Sequence, residues 1–226
     1  MNTKAVIFDL DDTLAPEVSY ALSGFKAVAS YMCEKKKLQT EPDLIYKELE
    51  KLFFADHKMV FNRFLKEKGL PDDKASVMEL IEVYRNHFPD ISYYDDVLPS
   101  LKMLKEKGII TGILSDGYAV TQRQKVKALG AEKDFDIVIL TDELGREAWK
   151  PDPRGFEIIE EEYSLKPSEV VYVGDNPEKD FYLKETAGIK TVRIMRENGV
   201  YINSPYCRDV REDYRIESLT ELEDLI

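Results

Sequence analysis

The chain has 226 residues, 43% of them hydrophobic, and a formal net charge of −12. That is enough apolar material for one large domain, or a core domain with a smaller insert, without disulfide support. The acidic balance excludes a binder of free nucleic acid, which needs a basic face, and no stretch approaches the length of a membrane span. Cys33 and Cys207 lie far apart and in no metal-binding spacing, so they read as two free thiols in a reducing, cytoplasmic setting. An apolar run at 4–9 reads as a buried strand, and it runs into Asp9-Leu10-Asp11-Asp12-Thr13. A helical region follows at 17–92, in pieces at 20–37, 42–54, 58–68 and 73–86. Gly69-Leu70-Pro71 breaks it, and Asp43 and Asp73 read as helix-start residues. The apolar spacing of Leu44, Leu49 and Leu52, then of Val60, Phe61, Phe64 and Leu65, supports the helices.

From residue 93 the pattern changes to strand–helix alternation. Helices are expected at 98–107, 121–129, 154–163, 179–187 and 218–226, with Gly108, Gly130 and Gly188 ending the first, second and fourth. Strands are expected at 109–114, 137–140, 170–173 and 191–195, with an edge strand at 214–216. Strands alternating with helices imply an α/β fold with a doubly wound parallel sheet. The expected domains are an α/β core of 1–15 and 93–226, and an all-α insert of 16–92.

Three aspartates beside a buried strand are costly unless paired or coordinated, because like charges repel and desolvated carboxylates need partners. A hard divalent ion such as Mg2+ takes oxygen ligands and often shares its shell with phosphate. The carboxyl ends of the strands are where open α/β sheets bind ligands. Three further signals stand near strand ends: Leu114-Ser115-Asp116-Gly117, Lys150-Pro151, and Gly174-Asp175-Asn176-Pro177-Glu178-Lys179-Asp180.

In this order, the four signals resemble the haloacid dehalogenase-like superfamily of phosphohydrolases. The likeness covers the whole core, and the helical insert stands where subclass I members carry their cap. It implies that Asp9 is the nucleophile, already charged at neutral pH, and forms an aspartyl-phosphate. Asp11 would protonate the leaving oxygen and later activate water. Thr13 would tie the loop to neighbouring backbone. Mg2+ would sit on Asp9, Asp175 and the main-chain carbonyl of Asp11, with Asp180 supporting that shell. Ser115 and the amides of Asp116 and Gly117 would grip the phosphoryl oxygens, and Lys150 would offset their charge.

Each position has a plainer reading beside it. Asp11 and Asp12 suit a turn, Ser115 a cap, Asp180 a first helical turn, and Lys150 a solvated lysine. Lys125 and Lys127, within a helical pattern, read as surface charges. Asn176 is a turn residue or a phosphate contact. Arg146 and Trp149 line the site mouth, or Trp149 packs. Tyr93-Tyr94-Asp95-Asp96 reads as a hinge. Lys58, Asn62 and Arg63 share one helical face and are either cap contacts or solvated. The expected activity is Mg2+-dependent hydrolysis of a small phosphorylated metabolite: a sugar phosphate, an acylneuraminate phosphate or a nucleoside monophosphate. A sugar-phosphate mutase, a 2-haloacid dehalogenase and a non-catalytic phosphate binder are successively less favoured. Neither nucleic acid nor membrane is an expected partner, and a monomer or a homodimer is expected.

Overall fold

The computed structural model describes residues 2–36, 40–197 and 199–226. In chain order, β1 (Ala5–Phe8) is followed by α1 (Glu17–Glu34), α2 (Pro42–Ala55), α3 (Val60–Glu67) and α4 (Lys74–Asn86). Then come α5 (Val97–Glu106), β2 (Ile110–Ser115), α6 (Ala119–Leu129), α7 (Ala131–Asp134) and β3 (Ile137–Leu140). The last elements are α8 (Arg154–Tyr163), β4 (Val170–Gly174), α9 (Leu183–Thr186), β5 (Lys190–Ile194), β6 (Tyr214–Ile216) and α10 (Leu222–Leu225). Two compact units result: Met1–Glu17 with Ile91–Ile226, and Val18–Asp90.

The first unit is built on one parallel sheet of order β3-β2-β1-β4-β5-β6. Alternation along β1 divides its core into two layers. Val6 and Phe8 pack with Leu101, Leu104, Val126 and Val173 on one face, and Ala5 and Ile7 with Leu114, Phe156, Ile159 and Tyr172 on the other. Strand order runs one way to β3 and the other way from β4, so β1 and β4 flank the crevice where such sheets bind ligands. Register aligns the ends: Phe8 stands opposite both Ile113 and Val173. Asp9, Ser115 and Asp175 therefore emerge within one residue of the same level. Among the described residues, no helix is long and apolar enough to cross a membrane.

The helical unit buries Phe25, Val28, Ile45, Leu49, Phe64 and Leu80 as its own core. Leu44, expected on the apolar face of α2, is 54% exposed, and the neighbouring Ile45 is buried instead. Asp73 caps α4 by accepting from the Ser76 N–H at 3.0 Å, as expected, whereas Asp43 lies in the first turn of α2 behind Glu41. Arg63 donates to the carbonyls of Leu52 and Asp56 at the end of α2, so its guanidinium serves local capping. Lys37, expected to end the first helix, lies outside the described residues. The expected helix at 179–187 is a 3-10 turn, Asp180–Tyr182, followed by the short α9.

Candidate active site

Asp9 follows β1 directly, and its N–H donates to the Val173 carbonyl at 2.8 Å, which anchors it to β4. Its Oδ1 accepts from Lys150 Nζ at 2.6 Å. The Lys150 side chain is 0% exposed; its ammonium also pairs with Asp180 Oδ1 at 3.0 Å and donates to the Tyr172 hydroxyl. Asp9, Asp175 and Asp180 are all buried, and one carboxylate oxygen from each lies within 4.8 Å of the others. Asp180 accepts from the Asn176 N–H at 3.0 Å, and Asn176 accepts from the Glu178 N–H at 2.9 Å, as a turn residue does.

Asp11 points elsewhere. Its Oδ1 accepts from Lys125 Nζ at 2.6 Å and its Oδ2 from Gln122 Nε2 at 2.9 Å. Lys125 is therefore not a surface charge, as the helical pattern suggested, but 5% exposed against a carboxylate; Lys127, two residues on, is exposed. Asp12 adopts a left-handed conformation, φ 48°, and accepts from the N–H groups of Glu17 and Val200, which fixes the loop. Thr13 ties the loop to neighbouring structure through its carbonyl, which accepts from Arg196 Nη2 at 2.7 Å. Its buried hydroxyl has no hydrogen-bond partner among the described residues. Arg196 in turn pairs with Asp96, and the Tyr94 N–H donates to the Leu14 carbonyl.

Ser115 ends β2 and is not a helix cap: its Oγ accepts from Gln122 Nε2 at 2.7 Å. Asp116 is held from three sides, by Thr141 Oγ1 at 2.8 Å, the Lys150 N–H at 3.1 Å and Lys179 Nζ at 2.9 Å. Gly117 has φ 121°, a conformation open chiefly to glycine, and this turns the chain from β2 into α6. Arg146 lies over the rings of Tyr118 and Trp149, and the Trp149 Nε1 donates to Asp142.

Burial pushes the Asp9 carboxyl up to about 6, against the opposing pull of Lys150. Burial also raises Asp175 well above the ordinary carboxylate range, and Asp180 and Asp9 add to it. Burial works the same way on Asp116, but Lys150 and Lys179 together outweigh it and hold that carboxyl low. Burial opposes charge on Lys150, yet Asp180 and Asp9 keep it firmly protonated.

The donor set suits a hard divalent cation: oxygen only, three carboxylates from two strand ends and a turn. Asp175 Oδ2 is buried and has no hydrogen-bond partner among the described residues. Four buried aspartates, Asp9, Asp116, Asp175 and Asp180, face two ammoniums, Lys150 and Lys179. With all four ionised, the state a bound cation favours, the difference is two negative charges, the charge of one divalent ion.

The sequence pattern singles out neither Tyr172 nor Gln122, and it holds Gly174 and Lys179 within the fourth signal without a role for either. A Cβ on Gly174 would overlap Asp180 Oδ2 and lie 2.9 Å from its Cγ, so the glycine makes room for that carboxylate. Gly174→Ala is therefore expected to displace Asp180 and destabilise the fold by about 1–3 kcal/mol, the usual cost of overpacking. Chemical denaturation measures the loss, and a stability equal to wild type would contradict the crowding.

The family model for haloacid dehalogenase-like hydrolases matches residues 6–194. A glyceraldehyde 3-phosphate phosphatase of Methanopyrus kandleri is 33% identical, over 99% of this chain and 97% of its own length. A protein of the same name from Methanocaldococcus jannaschii is 28% identical, over 99% and 96%. Among solved structures, a HAD phosphatase from Thermococcus onnurineus is 29% identical over 99% of this chain and 97% of its own, with a TM-score of 0.62.

Proposed function

We propose that this chain, which belongs to the haloacid dehalogenase-like hydrolase family, is a Mg2+-dependent phosphatase of a small phosphomonoester that works through an aspartyl-phosphate on Asp9. The observation that carries this reading is the buried cluster of Asp9, Asp175 and Asp180 beyond the carboxyl ends of β1 and β4, with the ammonium of Lys150 paired to Asp9 and Asp180.

In the proposed reaction a free Asp9 oxygen attacks phosphorus, and the bond to the leaving oxygen breaks. Asp11 supplies the proton that this oxygen needs, then takes one from the water that cleaves the acyl phosphate. Ser115 Oγ and the amides of Asp116 and Gly117 bind the phosphoryl oxygens, and Lys150 offsets negative charge at Asp9. Asp9, Asp175 and Asp180 would hold Mg2+, which supplies Lewis-acid charge neutralisation when bound.

Metal binding and pH are coupled through those carboxylates. Asp9 has its folded value near 6, above the ordinary 3.8. Stability associated with its protonated form is thus present in acid and is lost as pH rises through about 6. A cation binds the ionised carboxylates, so it restores stability on the alkaline side. The rise in melting temperature given by Mg2+ is expected to be small at about pH 5 and large at about pH 7.5. A gain independent of pH, or larger in acid, would contradict this assignment.

The substrate proposed first is glyceraldehyde 3-phosphate, because relatives spanning nearly the whole chain carry that name. The test is phosphate release from a panel, with Mg2+ and with EDTA. The panel comprises glyceraldehyde 3-phosphate, phosphoserine, a hexose phosphate, a nucleoside monophosphate, an acylneuraminate phosphate and pyrophosphate. Metal-dependent turnover of one phosphomonoester is expected. Silence towards all of them by folded protein would overturn the reading.

A further inference from the structure

We infer that Gln122 and Lys125 are positioning residues that station the proton-transfer group Asp11 and couple it to the phosphate-binding hydroxyl of Ser115. The inference rests on the phosphatase reading and deepens it.

The two residues are three apart on α6 and so share one face of that helix. Both are buried, Gln122 at 1% and Lys125 at 5% exposure. A buried ammonium is rare unless paired, and this one lies 2.6 Å from Asp11 Oδ1. The Gln122 side-chain nitrogen reaches two acceptors, Asp11 Oδ2 at 2.9 Å and Ser115 Oγ at 2.7 Å. In its ionised form, the one that takes a proton from water, Asp11 only accepts, which turns the two N–H groups of the amide this way. One N–H goes to each acceptor, and both N–H groups of the amide are committed.

Two consequences follow from those bonds. Asp11 sits on a loop, where an unrestrained side chain samples several rotamers. Two donors from one rigid helix, each on a different carboxylate oxygen, fix its rotation. Ser115 is oriented as well. One of its two lone pairs accepts from Gln122, and its own O–H remains able to donate; among the described residues that proton meets the Asp116 carbonyl at 3.4 Å. That proton is the one a phosphoryl oxygen would receive. Gln122 thus orients the hydroxyl that would donate to substrate while holding the group that transfers the proton. Neither residue is required to touch substrate.

The readout separating this role from simple structural support is leaving-group dependence. An alkoxide must be protonated as it leaves, whereas nitrophenolate departs without help. A mispositioned Asp11 therefore harms alkyl esters selectively. The experiment compares first-turnover release of glycerol from glycerol 1-phosphate and of nitrophenolate from p-nitrophenyl phosphate, with Mg2+ saturating. Lys125→Met is expected to lower the alkyl-to-aryl rate ratio by about 100-fold, the lower end of a general-acid contribution. Lys125→Arg, which keeps a charged donor, is expected to hold the ratio near wild type. Gln122→Leu is expected to lower the ratio too, and in addition to raise KM for both esters by releasing Ser115. Should Lys125→Met fail to fold, Gln122→Leu carries the test through the same ratio.

An equal loss for both esters would mean structural support only and would overturn the inference. So would an unchanged ratio. Failure of the parent reading is distinguishable: wild-type protein would then release neither alcohol nor nitrophenolate.

Discussion

Asp9→Asn is expected to abolish phosphate release, by about four orders of magnitude or more, while leaving the protein folded. An amide oxygen is a poor nucleophile, and losing the attacking group removes the route itself rather than one contribution to it. The stability consequence has the opposite sign from that of most buried polar substitutions. Burial and the neighbouring Asp180 and Asp11 disfavour charge on Asp9, and the wild-type carboxyl is raised to about 6 for that reason. A neutral amide of the same shape relieves this repulsion. Lys150 keeps its second partner, Asp180, at 3.0 Å. The metal-free variant should therefore melt at or above the wild-type temperature, and the stabilisation given by Mg2+ should shrink because one carboxylate ligand is gone. Paired melting curves with and without Mg2+ check both parts. A variant that turns over at a substantial fraction of the wild-type rate would remove Asp9 from the chemistry.

Lys150 should show both effects at once, and both as losses. Its side chain is 0% exposed and its ammonium bonds Asp9 and Asp180. Lys150→Met fills much of the same volume but leaves two buried carboxylates without their shared counter-charge. Breaking a buried pair from one side costs about 3–5 kcal/mol, and the catalytic loss from one electrostatic donor is about 100- to 1000-fold. Chemical denaturation and steady-state kinetics read the two separately. Lys150→Arg is not expected to rescue, since a planar fork does not replace a point charge in a fully enclosed site. Asp180→Asn alone should be milder, because the ammonium still has Asp9. Wild-type stability in Lys150→Met would show that the carboxylates lie protonated and unpaired at neutral pH.

Much of the fold is legible in the sequence because its signals are local. The edge strand Tyr214–Ile216 and the strand Ile137–Leu140 stand where apolar runs and turns put them. The parallel sheet follows from strand–helix alternation. The helical unit is less legible in detail. Leu44 and Ile45 are both apolar and adjacent, and periodicity alone cannot say which of two neighbours faces the core. The helix expected at 179–187 is a 3-10 turn and a single short helix, since Asp180 is drawn inward onto Lys150 and its N-terminal neighbours form a turn around it.

For the candidate site, Asp9, Asp11, Ser115 and Asp175 stand out because they occur at or just after strand ends within short runs, and Lys150 because Lys-Pro stands just before a helix. The residues that escape notice are those whose partners lie far along the chain. Lys125 meets a residue 114 positions away, and a lysine in a helix gives no local sign of that. Tyr172, in the middle of an apolar strand, reads as packing until its hydroxyl is seen beside Lys150 and Asp180. Gly174 opens a signal after a strand, and nothing local shows that the space it leaves is filled by a carboxylate six residues later. Lys179 looks like one more charge in an acidic run, yet it supplies the second ammonium facing Asp116.

The most direct test of the account is to ask whether Asp9 carries phosphate during turnover. Protein mixed with glyceraldehyde 3-phosphate and Mg2+ is quenched in acid within the first turnover, digested, and the mass of the Asp9 peptide measured. The account predicts a peptide one phosphoryl group heavier, gone once the substrate is exhausted before the quench and missing from Asp9→Asn. Turnover with no such adduct, or an adduct on another residue, would contradict it.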